Sequence, residues 1–389
     1  MTQITVVGGG VAGLVAAISA AERADDVLLL EATSKLGGRA RSLDGPYVAN
    51  LGPHALYTGG FAWVWLEQRG LLGPLVSPLA TSLRFRSAER LRRMPLAVIQ
   101  ALLRLRAPAP AALSFREWAT ARAGTTAAEA AIGLISLPTY HHDPGQLSAS
   151  FAQERFVRST RKGSVRYVVG GWGTLIERLA SHARSLGVRI ETESRVDALP
   201  EAPVIVATKL SAARRLLDDP TVAWPGTTTA LLDLGLRAGP RWPHAVLDLD
   251  HRVYLARYSA FDPTLAPDGH DLVQASAGMR PGERAEAAIS RIEAILDAVM
   301  TQWTGRVAWR RQSILHDATG AIDPPGRSWR DRPAIARGDG VFLAGDAVAA
   351  TGLLSEVAFA SGCTAGTSAA EHLHDRPTAP ALLPTPPNA

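Results

Sequence analysis

Cysteine and lysine are the residues that this sequence most clearly lacks. One cysteine, Cys363, is present in 389 residues, which excludes an internal disulfide, a cysteine-rich zinc site and a two-cysteine redox centre. Of the 41 basic residues, three are lysines and the rest are arginines. The arginines are spread along the whole chain and form no basic stripe interleaved with aromatic residues. The net charge of +5 therefore does not indicate a nucleic-acid-binding protein.

Long uncharged apolar runs are also scarce. Residues 4–21 form one such run, but no basic segment precedes it, and its four glycines are typical of a strand, a turn and a helix rather than of a membrane span. We therefore expect a soluble cytoplasmic protein. Hydrophobic residues make up 47% of the chain and charged residues 20%, which is sufficient for a buried core, and the length favours two domains.

The N-terminal pattern is that of a nucleotide-binding βα unit. A buried apolar strand runs into residues 8–13, which fit G-x-G-x-x-G. Gly8 allows the tight turn, Gly10 lets the backbone approach a pyrophosphate, and Gly13 lets the helix pack against the strand. The helix N-terminus then favours the phosphates. Glu31 ends the next strand, where a carboxylate accepts hydrogen bonds from ribose hydroxyls and repels a 2′-phosphate, so we expect a dinucleotide other than NADP.

Four further motifs distinguish FAD from NAD. Residues 31–39 read E-A-x-x-x-x-G-G-R, residues 50–55 read N-L-G-P-H-A, residues 343–346 read L-A-G-D, and residues 352–358 read G-L-L-S-E-V-A. Together these segments resemble the FAD-dependent superfamily of monoamine oxidases, protoporphyrinogen oxidases and phytoene desaturases, and the resemblance covers nearly the whole chain. It implies a noncovalently bound FAD.

The resemblance also assigns cofactor contacts to particular residues. Arg39 would lie along the pyrophosphate, where a guanidinium can make paired hydrogen bonds, and Asp346 would accept hydrogen bonds from the ribityl chain. The helix that begins near Ser355 would direct its N-terminus at the pyrimidine end of the flavin. The full set expected to contact FAD is Gly8, Gly10, Gly13, Glu31, Gly38, Arg39, Gly52, Pro53, His54, Ala55, Val196, Gly345, Asp346, Ser355 and Val357.

Alternating strand and helix patterns occur at the start, in the middle and at the end of the chain, with other material between them. They predict an α/β fold in which a Rossmann-like FAD-binding domain is interrupted by an α+β substrate domain made of a mixed sheet plus helices. We assign residues 1–80, 163–226 and 305–375 to the FAD-binding domain, residues 81–162 and 227–304 to the substrate domain, and residues 376–389 to a flexible tail.

Several motifs of related flavoenzymes are missing. No second G-x-G-x-x-G follows a strand, so a dedicated NAD(P)H domain is not expected. Residues 210–389 contain no lysine, although the amine oxidases place one near the flavin. Ala55 stands where the amino-acid oxidases have an arginine for the substrate carboxylate, and an arginine from residues 155–166 is an alternative source of that group. These differences favour a dehydrogenase- or desaturase-like oxidation of a largely apolar small molecule.

Three residues are candidates for a catalytic role. His54 lies in the segment that flanks the flavin and could contact the substrate or act as a base, and a structural histidine is the alternative. Tyr140 and His141 lead into residues 143–148, a stretch that resembles the protoporphyrinogen oxidases, and either could line the pocket. The neighbouring histidines at 141 and 142 do not predict a metal site, because they cannot easily share one ion and further ligands are not evident.

Residues 84–106 carry seven arginines around an apolar stretch, Met94–Leu103. Such a segment could contact an anionic membrane surface, roof the substrate entrance, or form a solvated arginine face on a substrate-domain helix. Two alternatives to an FAD-dependent dehydrogenase remain. One is a flavin-dependent isomerase with no net redox change. The other is a noncatalytic flavin-bearing protein that docks on a membrane or a partner through this segment.

Overall fold

The structure is a computed structural model that describes residues 3–78, 82–240, 242–318 and 320–375, so the predicted tail at 376–389 lies outside the described residues. The helices are α1 (Val11–Ala21), α2 (Phe61–Gln68), α3 (Leu96–Arg104), α4 (Phe115–Ala123), α5 (Thr125–Thr139), α6 (Ala149–Ser159), α7 (Trp172–Ser185), α8 (Leu210–Leu216), α9 (Ala285–Val299) and α10 (Ser355–Asp375). The strands are β1 (Ile4–Val7), β2 (Val27–Leu30), β3 (Leu56–Tyr57), β4 (Leu75–Val76), β5 (Leu83–Ser87), β6 (Arg90–Arg92), β7 (Val165–Val168), β8 (Arg189–Glu191), β9 (Val204–Val206), β10 (Thr228–Arg237), β11 (Ala245–Asp248), β12 (Val253–Arg257), β13 (His270–Gly278), β14 (Val307–His316), β15 (Ala336–Gly338) and β16 (Val341–Leu343).

The first sheet has the strand order β15-β16-β9-β1-β2-β8, and its strands from β16 to β8 run parallel. The chain passes from β1 to β2 on one side and later returns to β9 on the other side of β1. The strand order therefore reverses between β1 and β9. Ligands of open α/β sheets bind beyond the carboxyl ends of the strands at such a point. The predicted Rossmann-like α/β fold is confirmed.

The first and last helices of the chain lie side by side. A side chain at Gly362 would collide with the carbonyl oxygen of Ala12, and one at Gly366 would collide with that of Ala16. These two glycines, spaced four residues apart, therefore let α10 approach the backbone of α1 closely. Because α10 follows β16 and α1 follows β1, this packing brings the glycine turn at the start of the chain next to the motifs near its end.

The second sheet has the order β14-β10-β13-β12-β11-β5-β6. Alternate residues of β10 point to opposite faces, as the pleat requires. Leu232 and Leu234 pack against α9 in one apolar core. On the other face, Leu231 lies 3.7 Å from where a side chain of Gly52 would begin, and Gly235 leaves room for the ring of Tyr47. This second face is therefore turned towards residues 47–52.

The predicted boundary at residue 305 is wrong for β14. That boundary places residues 307–316 in the FAD-binding domain, whereas β14 pairs antiparallel with β10 from Thr228↔His316 to Leu236↔Val307. The physical reason is the alternation of exposed and partly buried residues along β14, which suits the edge of a large antiparallel sheet. The buried strands of the parallel sheet instead read as continuous apolar runs.

The remaining elements include a helical core and a small third sheet, β3-β7-β4. Helices α3 to α6 share one apolar core, and β7 pairs antiparallel with both β3 and β4. The pairing Leu56↔Arg166 places the residues after Ala55 beside the segment that leads to α7. Among the described helices, none is both long and apolar enough to cross a bilayer.

Candidate cofactor and substrate site

The glycine turn between β1 and α1 has the geometry that its motif predicts. Gly8 has a φ of +111°, which is strained for other residues, and a side chain at Gly13 would collide with the carbonyl oxygen of Gly8. A side chain at Gly10 would meet nothing within 4 Å, and no side chain caps the start of α1. The space beside Gly10 is therefore open and the start of α1 carries no side-chain cap, so an anion is favoured there.

Glu31 is held at the carboxyl end of β2 by its own neighbours. Its Oε2 accepts a hydrogen bond of 2.7 Å from the Gly9 N–H, and its Oε1 accepts bonds of 2.9 and 2.8 Å from the N–H and hydroxyl of Thr33. A carboxylate has about four acceptor positions. The oriented carboxylate therefore keeps capacity for a further donor, such as a ribose hydroxyl.

Val196 lies on the loop after β8. The Ser194 N–H of that loop donates to the Glu31 carbonyl at 2.9 Å, so the loop runs beside the end of β2. The Val196 side chain is half-buried against an apolar cluster that contains Val7 and Val204. The structure therefore brings Val196, which is expected to contact FAD, to the same edge of the sheet as Glu31.

Arg39 and Asp346 meet across the same edge. The Arg39 Nη2 lies 2.6 Å from the Asp346 Oδ1, and its other terminal nitrogen donates to the Asp317 carbonyl. Burial is the largest single influence and acts to lower the pKa of Arg39, but the charge and hydrogen bond of Asp346 together with the charge of Asp317 outweigh it, so the net shift is upward. A cleft of about 180 Å³, whose lining includes Arg39, Asp346, Gly345 and Thr208, opens at the carboxyl ends of β9 and β16. These groups can hold a dinucleotide through its phosphates and hydroxyls.

The segment from Gly52 to Ala55 lies between the two sheets. Gly52 has a φ of +108°, and its carbonyl accepts a 2.7 Å hydrogen bond from Nδ1 of His54. The His54 ring lies 4.9 Å from that of Trp172. Burial lowers the pKa of His54, and the Gly52 carbonyl only partly offsets this. The ring is therefore neutral near pH 7, and its Nδ1–H is used in the hydrogen bond to Gly52 of the same loop. The catalytic role of His54 stays a prediction.

Tyr140 is fixed against this segment from both ends. Its hydroxyl donates to the Pro53 carbonyl, and its own carbonyl accepts a 3.3 Å hydrogen bond from the Thr229 hydroxyl. The backbone of Tyr140 has a φ of +53°, which is uncommon for an aromatic residue. Burial, and then the Tyr57 phenol, raise the pKa of Tyr140. The structure thus brings Tyr140 and His54, two of the three catalytic candidates, to one loop.

Five of the six tyrosines of the chain gather beside that loop. The hydroxyls of Tyr167 and Tyr254 lie 3.4 Å apart, and the rings of Tyr167 and Tyr258 are 5.1 Å apart. Tyr57 closely follows the loop in the chain and the Tyr140 hydroxyl donates to the Pro53 carbonyl, so both belong to this tyrosine cluster. Burial, and then a neighbouring phenol, raise the pKa values of Tyr57, Tyr140, Tyr167 and Tyr258. The cluster is therefore a buried, aromatic and uncharged environment that carries several hydroxyl groups.

His141 lies in different surroundings. Its Nδ1 accepts a 3.0 Å hydrogen bond from the Asp143 N–H, and its ring stacks on that of His142 at 4.4 Å. Asp143 is paired with Arg116 at 2.6 Å. Burial, followed by His142, lowers the pKa of His141 to about 4. Its contacts in the described residues thus belong to this polar cluster, and the prediction that it lines the pocket stays untested.

A buried polar network that the sequence did not suggest holds the other side of the loop. The Gln274 Nε2 donates to the Asn50 carbonyl and to Asp233, both at 2.8 Å. The Arg311 Nε donates to the second Asp233 oxygen at 2.8 Å. Desolvation raises the pKa of Asp233 even though Arg311 opposes the shift. The polar residues Asp233 and Gln274 within the largely apolar strands β10 and β13 could have indicated this network in the sequence, because buried polar groups need partners.

Helix α10 begins at Ser355, as predicted, and an ion pair supports its first turn. Glu356 is buried and accepts two hydrogen bonds of 2.6 Å from Arg158, and it also accepts one from the Leu353 N–H at 2.9 Å. Val357 is buried in the same turn. The ion pair of Glu356 with Arg158 and the buried side chain of Val357 therefore fix the position of the first turn of α10.

Arg155 is a buried guanidinium next to this turn. It is 4% exposed, and it shares a small cavity with Asp346, Leu354 and Val357. Its guanidinium carbon lies 3.3 Å from the centre of the Phe151 ring, and the nearest carboxylate oxygen, that of Glu154, is 3.6 Å away. Burial lowers the pKa of Arg155 to about 10. An arginine from residues 155–166 therefore does reach the region of the site.

Comparison with known proteins supports this fold. A family described as an NAD(P)-binding Rossmann-like domain matches residues 6–66. Cyclohexylamine oxidase from Brevibacterium oxydans has a TM-score of 0.71 at 16% identity, covering 96% of this chain and 99% of that chain. A proposed protoporphyrinogen oxidase from Exiguobacterium has a TM-score of 0.71 at 19% identity, covering 96% and 98%. Reduced UDP-galactopyranose mutase has a TM-score of 0.68 at 12% identity, covering 97% of both chains.

No curated protein sequence matches this chain. The structural likenesses extend over nearly the full length of both chains, so they concern the whole architecture and not the glycine turn alone. The chain therefore shares the fold of the cyclohexylamine oxidase and of the proposed protoporphyrinogen oxidase, as the resemblance of its motifs predicted.

Proposed function

We propose that the protein is an FAD-dependent oxidoreductase that removes a hydride, or its equivalent, from a C–H bond of a largely apolar small molecule. The observation that carries this proposal is the position of the tyrosine cluster beside the loop from Gly52 to Ala55. We infer that this loop flanks the flavin and that the tyrosine cluster holds the substrate. When bound, FAD supplies the electron-accepting ring, while the protein supplies binding and orientation.

The cofactor contacts follow from the groups at the edge of the parallel sheet. Glu31 would accept hydrogen bonds from the adenosine ribose, and the open start of α1 together with Arg39 would face the pyrophosphate. Asp346 would accept hydrogen bonds from the ribityl chain. The tight turn at Gly8 and the close packing of Gly13 against Gly8 support a phosphate-binding role for this motif. They bring the start of α1, which no side chain caps, directly beyond the end of β1.

The substrate class follows from the composition of the cluster. Phenol rings offer flat apolar surfaces and neutral hydroxyls, and their raised pKa values keep them protonated near pH 7. Such walls suit an apolar, partly unsaturated or ring-containing molecule whose C–H bond must be aligned, so positioning supplies much of the rate. Arg155 is the group proposed to hold an acidic substituent, because it is a buried guanidinium in the small cavity that Asp346, Leu354 and Val357 also line.

A flavin-dependent isomerase with no net redox change is the second candidate. The observation that favours it is the fold likeness to a UDP-galactopyranose mutase over 97% of both chains. The two candidates differ in whether the substrate leaves oxidised, so steady-state turnover with an electron acceptor separates them. An isomerase would convert substrate without consuming the acceptor.

Anaerobic stopped-flow reduction of the purified flavoprotein tests the proposal. The panel comprises common amines, amino acids, unsaturated compounds and partly reduced ring compounds, together with NADH and NADPH. We expect acid precipitation to release FAD, and we expect flavin bleaching only with compounds that gain a C=C or ring C=N bond. Fast bleaching by a common amine, an amino acid or either nicotinamide would overturn the assignment, as would a protein that cannot be loaded with FAD.

A further inference from the structure

The outer side of helix α3 is an exposed apolar stripe. Leu96, Ile99 and Leu103 recur at spacings of three and four residues, which places them on one side of a helix. Their exposed fractions are 66%, 39% and 76%. Met94 and Leu91, just before the helix, are exposed by 50% and 42%. Five of the nine most exposed large hydrophobic side chains in the described residues thus lie between residues 91 and 103.

The opposite side of α3 is already buried. Val98 and Ala101 are 1% and 0% exposed, and Val98 belongs to the same apolar core as Tyr254 and Tyr258 of the tyrosine cluster. One side of α3 therefore packs in the protein core, while the opposite side is exposed to solvent. A contiguous exposed apolar patch of this kind marks an interaction surface in a folded protein.

Arginines surround the exposed stripe. Arg90, Arg92, Arg93, Arg104 and Arg106 are all exposed. Within the part of the chain that the structure describes, none of these five guanidinium groups forms an ion pair with a carboxylate. The only acidic residue between positions 82 and 113 is Glu89, at the turn between β5 and β6. The rim of the stripe therefore carries five exposed guanidinium groups without an ion-paired carboxylate in the described residues.

The combination of an exposed apolar stripe with surrounding arginines distinguishes between the possible binding partners of this surface. A second copy of the chain would bring the two arginine rims against each other, which is electrostatically unfavourable. A nucleic acid would match the charge but not the apolar centre. An anionic bilayer matches both, because leucine and methionine side chains enter the boundary of the acyl chains while arginines reach the phosphates and anionic headgroups.

We propose that this docking face, formed by Leu91, Met94, Leu96, Ile99, Leu103 and the five arginines, seats the protein on an anionic lipid bilayer. The inner stripe of the same helix packs in the core that contains two tyrosines of the cluster, so the docked bilayer lies one helix away from the region proposed to hold an apolar substrate. The docking itself does not depend on the proposed reaction.

Vesicle co-sedimentation with the purified full-length protein tests the proposal. The probes are phosphatidylcholine vesicles and vesicles of phosphatidylcholine and phosphatidylglycerol at three to one. We expect binding to the anionic vesicles at low salt, weaker binding at high salt because the charges are screened, and little binding to the neutral ones. The double variant Arg92→Gln with Arg93→Gln should bind about 30-fold more weakly, and Leu96→Ser with Leu103→Ser at least tenfold more weakly.

Matched controls separate a docking face from general charge or stickiness. Arg184→Gln with Arg195→Gln removes two exposed arginines elsewhere, and Val64→Ser removes an apolar side chain of 42% exposure on α2. Both should bind like the unchanged protein. The proposal is overturned if anionic vesicles are not bound, if the four α3-region substitutions leave binding unchanged, or if sedimentation shows that the same substitutions dissolve a dimer without affecting vesicle binding.

Discussion

The guanidinium of Arg39 lies 2.6 Å from the carboxylate of Asp346, although 307 positions separate them in the chain. One residue follows the glycine pair after β2, and the other follows β16 at the far end of the sequence. The pairing is possible because α10 packs directly on α1 through Gly362 and Gly366. Two motifs that are recognisable separately thus form one site.

Replacing Asp346 with asparagine should weaken FAD binding about tenfold or more. The change keeps the size of the side chain, but it removes a charged acceptor whose hydrogen bond is worth at least about 1.5 kcal/mol, and it leaves Arg39 without its carboxylate. Fluorescence titration of the apoprotein with FAD measures the effect. Asp339→Asn, at an exposed turn between β15 and β16, is the control, and equal affinities for both variants would contradict the assignment of Asp346.

Replacing Glu31 with alanine should weaken FAD binding by about 10- to 100-fold. One or two charge-assisted hydrogen bonds to the ribose are lost, each worth roughly 1.5–3 kcal/mol, and the Gly9 N–H loses the acceptor that orients the turn. The same titration applies, with Glu191→Ala on the neighbouring strand β8 as the control. An unchanged dissociation constant for the Glu31 variant would show that the carboxylate serves only the turn.

Replacing Tyr140 with phenylalanine should lower the free energy of unfolding by about 1 kcal/mol, because the Pro53 carbonyl loses a buried hydrogen-bond donor. Tyr47→Phe is the matched control: its ring stacks on Trp309 at 5.4 Å, outside the tyrosine cluster. Urea denaturation of both variants measures the difference. If the two variants are equally stable, the Tyr140 hydroxyl does not hold the loop.

Stability should fall as the pH is lowered from about 6.5 to about 4, and His141 should account for part of the fall. Burial, and then His142, lower the pKa of His141 to about 4 in the folded state, whereas the unfolded chain takes up the proton near pH 6.5. The unfolded state therefore binds more protons in this window, and the contribution present above pH 6.5 is lost as the pH falls.

His141→Gln tests this linkage. The slope of the unfolding free energy between pH 4 and 6.5 should decrease by up to about 1.4 kcal/mol per pH unit, which corresponds to one proton. His182→Gln on α7, a half-buried histidine outside this cluster, provides the comparison. Identical slopes for the unchanged protein and the His141 variant would show that this histidine does not titrate abnormally.

Most of the local geometry of the proposed cofactor site was predictable from sequence. The turn at Gly8, the spacing to Gly13 and the acidic residue at Glu31 obey local rules, since a helix can follow a strand this closely only where side chains are absent. The segments at Arg39 and Asp346 were recognisable by resemblance, and the structure brings them together. The start of α10 at Ser355 was also predicted correctly.

The region proposed to hold the substrate was decided by tertiary structure. The tyrosine cluster draws its members from β3, the end of α5, β7, β12 and the turn after it, and no spacing in the chain relates them. Gln274 can donate to both Asp233 and the Asn50 carbonyl only because β10 and β13 are neighbours in the second sheet. The assignment of β14 failed for the same reason, because an alternating strand does not reveal which sheet edge it will join. Local sequence thus determined the glycine turn and its carboxylate, where backbone sterics act between near neighbours, while strand pairing and helix packing between distant segments decided what surrounds the loop at Gly52.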